Sequence, residues 1–188
     1  MLTTPQRIVF VDTETTDIEP DRAVPWEIAL VIRDPGMLDV EEVHLIHIDA
    51  LRADPDALTV GRYYDRHPCA AAPINGHVCP LPPRYVTLAG VAEATAGAVM
   101  VGNNVSYDLT VLGRHLDRPA AAWHYQPIDI KPLAAGWLAA RGVSWEGVYP
   151  STSQIADILG VPRPEDTRHT ALGDARWVRD VYDTIMVA

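Results

Sequence analysis

The run Ile8-Val9-Phe10-Val11 ends abruptly at two carboxylates, Asp12 and Glu14. A stretch so apolar and β-branched offers no polar face to water, so it reads as a strand buried on both faces of a sheet. Side chains alternate along a strand, and residues two apart share a face. Asp12 and Glu14 therefore point together at the strand's C-terminal end. Paired carboxylates in that geometry suit hard, oxygen-seeking divalent cations such as Mg²⁺ or Mn²⁺. An isolated Asp-x-Glu is more often a solvated acidic turn, so the pair needs company before it means anything.

Two further segments supply it. Ala98-Val99-Met100-Val101 is strand-like, Gly102 permits a sharp turn, and Val105, Leu109, Leu112 and Leu116 form the stripe of a core-facing helix. Asp108 lies about 60° around that helix from Val105 and about 40° from Leu112, at roughly 100° per residue. It borders the buried stripe, where a carboxylate is either a partner of the helix dipole or a site residue. His169 and Asp174 are five residues apart. On one continuous helix they would diverge by roughly 140°, so a shared site requires the helix to begin after His169. Thr170 is the natural N-cap, with 163–168 as an exposed loop before it. Asp174 is then fixed on the helix, while His169 is carried on a loop.

Taken in order, Asp12-Thr13-Glu14-Thr15-Thr16, Asp108, and His169-Thr170-Ala171-Leu172-Gly173-Asp174 resemble the motifs of the DEDDh group of DnaQ-like 3′-to-5′ exonucleases, over nearly the whole chain. The resemblance implies an α/β, RNase H-like fold: a five-stranded mixed sheet flanked by helices, with the first strand central. It implies two divalent metal ions, Mg²⁺ or Mn²⁺, on Asp12, Glu14, Asp108 and Asp174, with His169 as general base. The implied reaction is hydrolysis of terminal phosphodiesters of DNA or RNA to 5′-mononucleotides. Thr15 and Thr16 would meet the terminal 3′-hydroxyl or phosphate, a turn-stabilising role being the alternative. Asp17 departs from the pattern, because many relatives have glycine there.

Composition narrows the partners. The 188 residues, 48% hydrophobic and 21% charged, suit one domain spanning 1–188. No run approaches the roughly 18 apolar residues of a membrane span, and 1–7 lack a signal segment, so a cytoplasmic protein is expected. The formal charge of −10 argues against tracking along a duplex, since basic surface supplies much of the affinity for a phosphate backbone. A single-stranded or frayed 3′ end is the expected substrate, with Arg62, Arg66, Arg84 and Arg168 as candidate local contacts. An oligoribonuclease-like enzyme acting on short RNA and a proofreading subunit bound to a DNA polymerase are the alternatives.

Strands are expected near 8–12, 26–33, 40–48, 98–101 and 128–130. Helices are expected near 53–65, 86–96, 106–116, 133–140, 151–159 and 171–187. Trp26 and Tyr107 are candidates for base stacking, though large aromatics near strand ends more often belong to the core. The segment 67–83 contains His67, Cys69, His77 and Cys79. Its spacing and prolines do not match common zinc patterns, and a disulfide runs against a cytosolic setting, so it reads as an irregular insertion.

Overall fold

The expected first strand is the middle of the sheet. In a computed structural model that describes residues 6–70, 79–116 and 123–187, the strands are β1 (Ile8–Thr15), β2 (Pro25–Arg33), β3 (Val40–Leu45), β4 (Val99–Gly102) and β5 (Ile128–Asp129). Their order is β3-β2-β1-β4-β5. β1 runs antiparallel to β2 and parallel to β4, which makes the sheet mixed. Val9, Phe10 and Val11 are wholly buried, as a central strand covered on both faces requires.

Strand alternation divides the core into two layers. Phe10, Ala29, Val31 and Val101 face one side, where they meet Ile130, Trp177, Val178 and Val181. Val9, Val11, Ile28, Leu30 and Met100 face the other, against Leu88, Val91, Val105 and Leu112. The helices that provide these covers are α3 (Arg84–Ala94) and α4 (Val105–His115) on the second side, and α5 (Ile130–Ala139), α6 (Thr152–Leu159) and α7 (Ala171–Val187) on the first. Among the described residues, a 3-10 turn (Ala50–Arg52) and two short helices, α1 (Pro55–Val60) and α2 (Tyr63–Arg66), lie between β3 and α3.

Most boundaries fall within a few residues of the sequence reading. The helix expected over 53–65 is broken in two. Gly61 approaches β1 so closely that a Cβ there would lie 2.7 Å from a Glu14 carboxylate oxygen and 2.8 Å from the Trp26 ring. Arg62 then takes a left-handed conformation (φ 56°), which ends one helix and re-aims the next. The third strand stops at Leu45 rather than Ile48; it is an edge strand with Val40 and Val43 exposed.

The insertion carries a second correction. Cys69 and Cys79 form a disulfide, their Cα atoms 5.0 Å apart, within the range that a disulfide spans. Sequence spacing alone could not show that the chain returns to this point. Bonded to each other, the two sulfurs are not thiolate ligands; His77 lies outside the described residues. Cys69 is buried next to a small cluster of Trp26, Ile48, Leu58 and Tyr63 that closes the end of the sheet. No helix among the described residues is long and apolar enough to cross a membrane.

Candidate active site

Asp12 and Glu14 emerge on the Phe10 face of β1, where α7 packs, and Asp174 projects from the first turn of α7. The three residues offer carboxylate oxygens that lie within 4.8 Å of one another. Local chemistry sets this meeting. The Thr170 hydroxyl accepts from the Gly173 amide (3.1 Å) and donates to the Thr167 carbonyl (2.6 Å), capping α7 just after His169, as the spacing argument required. Gly173 has no alternative, since a Cβ there would lie 2.1 Å from the Thr167 carbonyl oxygen.

Asp108 arrives from the opposite layer. It is buried on α4 and accepts a 2.7 Å hydrogen bond from the hydroxyl of Thr13, whose side chain alternates away from Asp12 and Glu14. Asp108 is not one of the three residues whose oxygens converge, though it lies close enough to raise Asp12. His169 is exposed on the loop before α7, in a left-handed conformation (φ 58°), and its imidazole has no hydrogen-bond partner among the described residues.

The carboxylates strain one another. Burial raises Asp12 well above the usual carboxylate range, and Asp108, Asp174 and Glu14 push it further. Glu14 is raised to about 8 by burial, then by Glu27 and Asp174. Asp108 is raised to about 7 by burial, which outweighs the hydrogen bond from Thr13. Against this stands Arg163, which donates to Asp174 and partly offsets the raised Asp12. A cluster of hard oxygen donors this short of positive charge fits a divalent cation.

Beside the cluster lies a cavity of about 390 Å³ lined by Thr13, Glu14, Thr15, Ile18, Asp54, Asp56, Ala57, Val60 and Tyr107. Ile18 is 74% exposed and Val60 54% exposed, apolar groups left at its edge. The sequence reading missed both; an isoleucine so soon after the acidic motif was the available signal. The expected hydroxyl contacts of Thr15 and Thr16 are narrowed. Thr15 lines the cavity, but its hydroxyl contacts the Tyr107 hydroxyl (2.6 Å) and donates to the Asp17 carbonyl (2.9 Å). The Thr16 hydroxyl accepts from the Val24 amide at 3.0 Å. Both hydroxyls hold the turn.

Asp17 leaves the cluster undisturbed. Its carboxylate is held below the usual range by the Glu19 amide and by Arg22. Trp26 is core, its ring edge against Tyr63 and His67. Tyr107 anchors the Thr15–Asp17 turn and forms one wall of the cavity. The four candidate arginines have partners within the fold: Arg62 with Asp65, Arg66 with Glu27, Arg84 with His115, and Arg168 with Glu165.

Comparison with known proteins gives a consistent result. No family model matches the chain. The oligoribonuclease of Azoarcus sp. (strain BH72) is 26% identical over 198 aligned positions, covering 95% of this chain and 96% of that protein. The oligoribonuclease of Tropheryma whipplei (strain Twist) is 28% identical, covering 71% of this chain and 76% of its own. Among solved structures, apo exonuclease I superposes with a TM-score of 0.72 at 16% identity over 98% of this chain. E. coli exonuclease I in complex with a dT13 oligonucleotide gives 0.68 at 17% identity. The chain spans about two fifths of the length of exonuclease I, 42% in the apo structure.

The chain is similar in sequence to oligoribonucleases, and its fold is that of exonuclease I. The acidic cluster sits at the C-terminal end of the central strand, with the cavity beside it.

Proposed function

We propose that this exonuclease degrades short single-stranded oligonucleotides, RNA foremost, from the 3′ end to 5′-mononucleotides. The observation that carries the reading is the meeting of Asp12, Glu14 and Asp174 at the strand end beside a cavity of nucleotide dimensions. Two features favour short substrates. The oligoribonuclease from Azoarcus matches along nearly its entire length, whereas exonuclease I is more than twice as long. The net charge of −10, with the candidate arginines paired internally, leaves little basic surface to follow a long backbone.

Asp12, Glu14 and Asp174, with Asp108 from the other layer, would hold two divalent ions, Mg²⁺ or Mn²⁺. Bound there, such ions supply charge neutralisation of the phosphate and acidification of water. The rest of the work belongs to the protein. Thr15 and Tyr107 shape the wall for the terminal nucleotide, and Ile18 and Val60 give its base an apolar surface. His169, unencumbered and exposed, accepts the proton of the attacking water as its oxygen bonds to phosphorus and the bond to the 3′ oxygen breaks. The reading requires no polymerase partner.

The test is product analysis on matched 5′-labelled and 3′-labelled RNA and DNA oligomers, from dinucleotides upward, with Mg²⁺ or Mn²⁺. Stepwise 5′-mononucleotide release, fastest on short RNA and absent in Asp12→Ala, is expected. Internal cleavage, or near-normal rates in Asp12→Ala, would overturn the assignment.

A further inference from the structure

Glu27 lies on β2 directly across from Glu14. Both oxygens of its buried carboxylate accept from the guanidinium of Arg66, the last residue of α2. Arg66 sits over the Trp26 ring, 5.3 Å from its centroid. One nitrogen, Nη2, serves both oxygens, which leaves Nη1 free for the backbone. What the pair grips besides itself is informative. Arg66 Nη1 donates to the carbonyl of Gly61 (2.7 Å) and to the carbonyl of His169 (3.3 Å), while Glu27 Oε2 accepts from the amide of Ala171 (3.3 Å).

The last two contacts bracket Thr170. One secures the peptide that leaves His169, the other the first amide of α7, which has no partner within its own helix. Between them the backbone of His169 holds a left-handed conformation that non-glycine residues seldom adopt. A conformation of that kind persists when surrounding contacts over-determine it, and here the contacts come from α2 and β2. The third contact seats Gly61, whose backbone already touches Glu14 and Trp26.

We infer that Arg66 and Glu27 are positioning residues that set the approach of His169 to the carboxylate cluster. The inference rests on the reading of His169 as general base, yet its geometry can be tested apart from catalysis. Neither side chain is among those that would touch substrate or ion. Together they join β2, the glycine beside the acidic strand end and the loop bearing the base.

Three measurements on the full chain decide the matter. Arg66→Lys keeps the charge but loses the second nitrogen that reaches the Gly61 and His169 carbonyls, and Arg66→Met/Glu27→Leu removes both charges together, which avoids leaving one buried alone. In each, divalent-ion affinity by titration and KM for a short RNA should change less than about threefold, while kcat falls roughly 10²-fold, as misplacement of a reacting group by about an ångström produces. The same substitution in a His169→Ala background should cost less than about threefold, because no base remains to misplace. In nuclear magnetic resonance spectra, the Ala171 amide should lose hydrogen-exchange protection and the His169 ring signals should shift.

Full loss repeated in the His169→Ala background, or unchanged kcat with unchanged His169 and Ala171 signals, would overturn the inference. If His169→Ala itself leaves the rate intact, the general-base reading fails. The exchange and ring signals then decide on their own whether the clamp holds the loop.

Discussion

Arg163 donates a charged hydrogen bond to Asp174, the carboxylate that converges with Asp12 and Glu14. Its guanidinium lies 4.7 Å from the centroid of the Trp177 ring, so it is held flat against the first layer of the core. A divalent ion and Arg163 therefore compete for one carboxylate. In Arg163→Gln, divalent affinity should tighten roughly three- to tenfold, equivalent to about 1 kcal/mol for a partly screened charge pair. The metal-free protein should melt lower, having lost a cation paired with the cluster. Manganese titration followed by electron paramagnetic resonance, with calorimetry in chelator, measures both; weaker metal binding in the variant would refute the competition.

His169→Ala should retain divalent-ion binding and lose roughly 10²–10⁴-fold in rate, the usual range for general acid–base catalysis. Its exposure and lack of a protein partner mean that little of the fold depends on the imidazole, so the thermal midpoint should stay within about a degree, as for surface substitutions generally. Loss of metal binding in the variant would make His169 a ligand rather than a base.

The metal-free protein should become less stable as pH rises from about 6.5 to 8. Glu14, raised to about 8, and Asp108, raised to about 7, hold protons in the folded state that the unfolded chain has already released. That stabilisation is complete below the ordinary carboxylate range and is lost as pH climbs through the folded values. Below about pH 6.5 His67 works in the other direction, because burial lowers it to about 4 and the unfolded chain takes up its proton first. The loss from the two carboxyls begins at about pH 4 and ends at about pH 8, and they act without His67 only above about pH 6.5. Thermal midpoints in chelator across pH 6.5–9, repeated with saturating Mg²⁺, provide the check. A midpoint rising with pH in chelator would contradict the raised carboxyls, and Mg²⁺ should flatten the slope.

Reducing the Cys69–Cys79 disulfide should lower stability by about 2–3 kcal/mol, from the loop-closure entropy of a link between residues ten apart. For a chain of this size that amounts to a fall of roughly 5–10 °C in thermal midpoint. The bond lies three residues beyond Arg66, so its loss should also loosen the α2 end of the clamp. Thiol titration under denaturing conditions without reductant, before and after treatment, is the measurement. Two reactive thiols in the untreated protein would show that the link is absent.

The sequence by itself determined the central strand, its carboxylates and the start of α7. Four consecutive apolar residues can only be buried between two layers, alternation pairs Asp12 with Glu14, and helical rotation forces a break between His169 and Asp174. These are short-range consequences of backbone geometry; the helix start held, while β1 runs three residues further than expected, to Thr15. Asp108 was legible as a residue bordering the core, but not as one from the opposite layer; that depends on which face of β1 receives α4, and Thr13 rather than Asp12 is its hydrogen-bond partner. Long-range meetings were beyond reach for the same reason. Arg66 and Glu27 are 39 residues apart, Glu27 and Ala171 are 144 apart, and Cys69 and Cys79 are linked through a loop of no regular period. Local pattern constrains dihedrals and faces. Which buried charge finds which partner is decided only when the layers close and the dielectric falls, and there the tertiary structure alone joined the acidic strand end to the loop that carries His169.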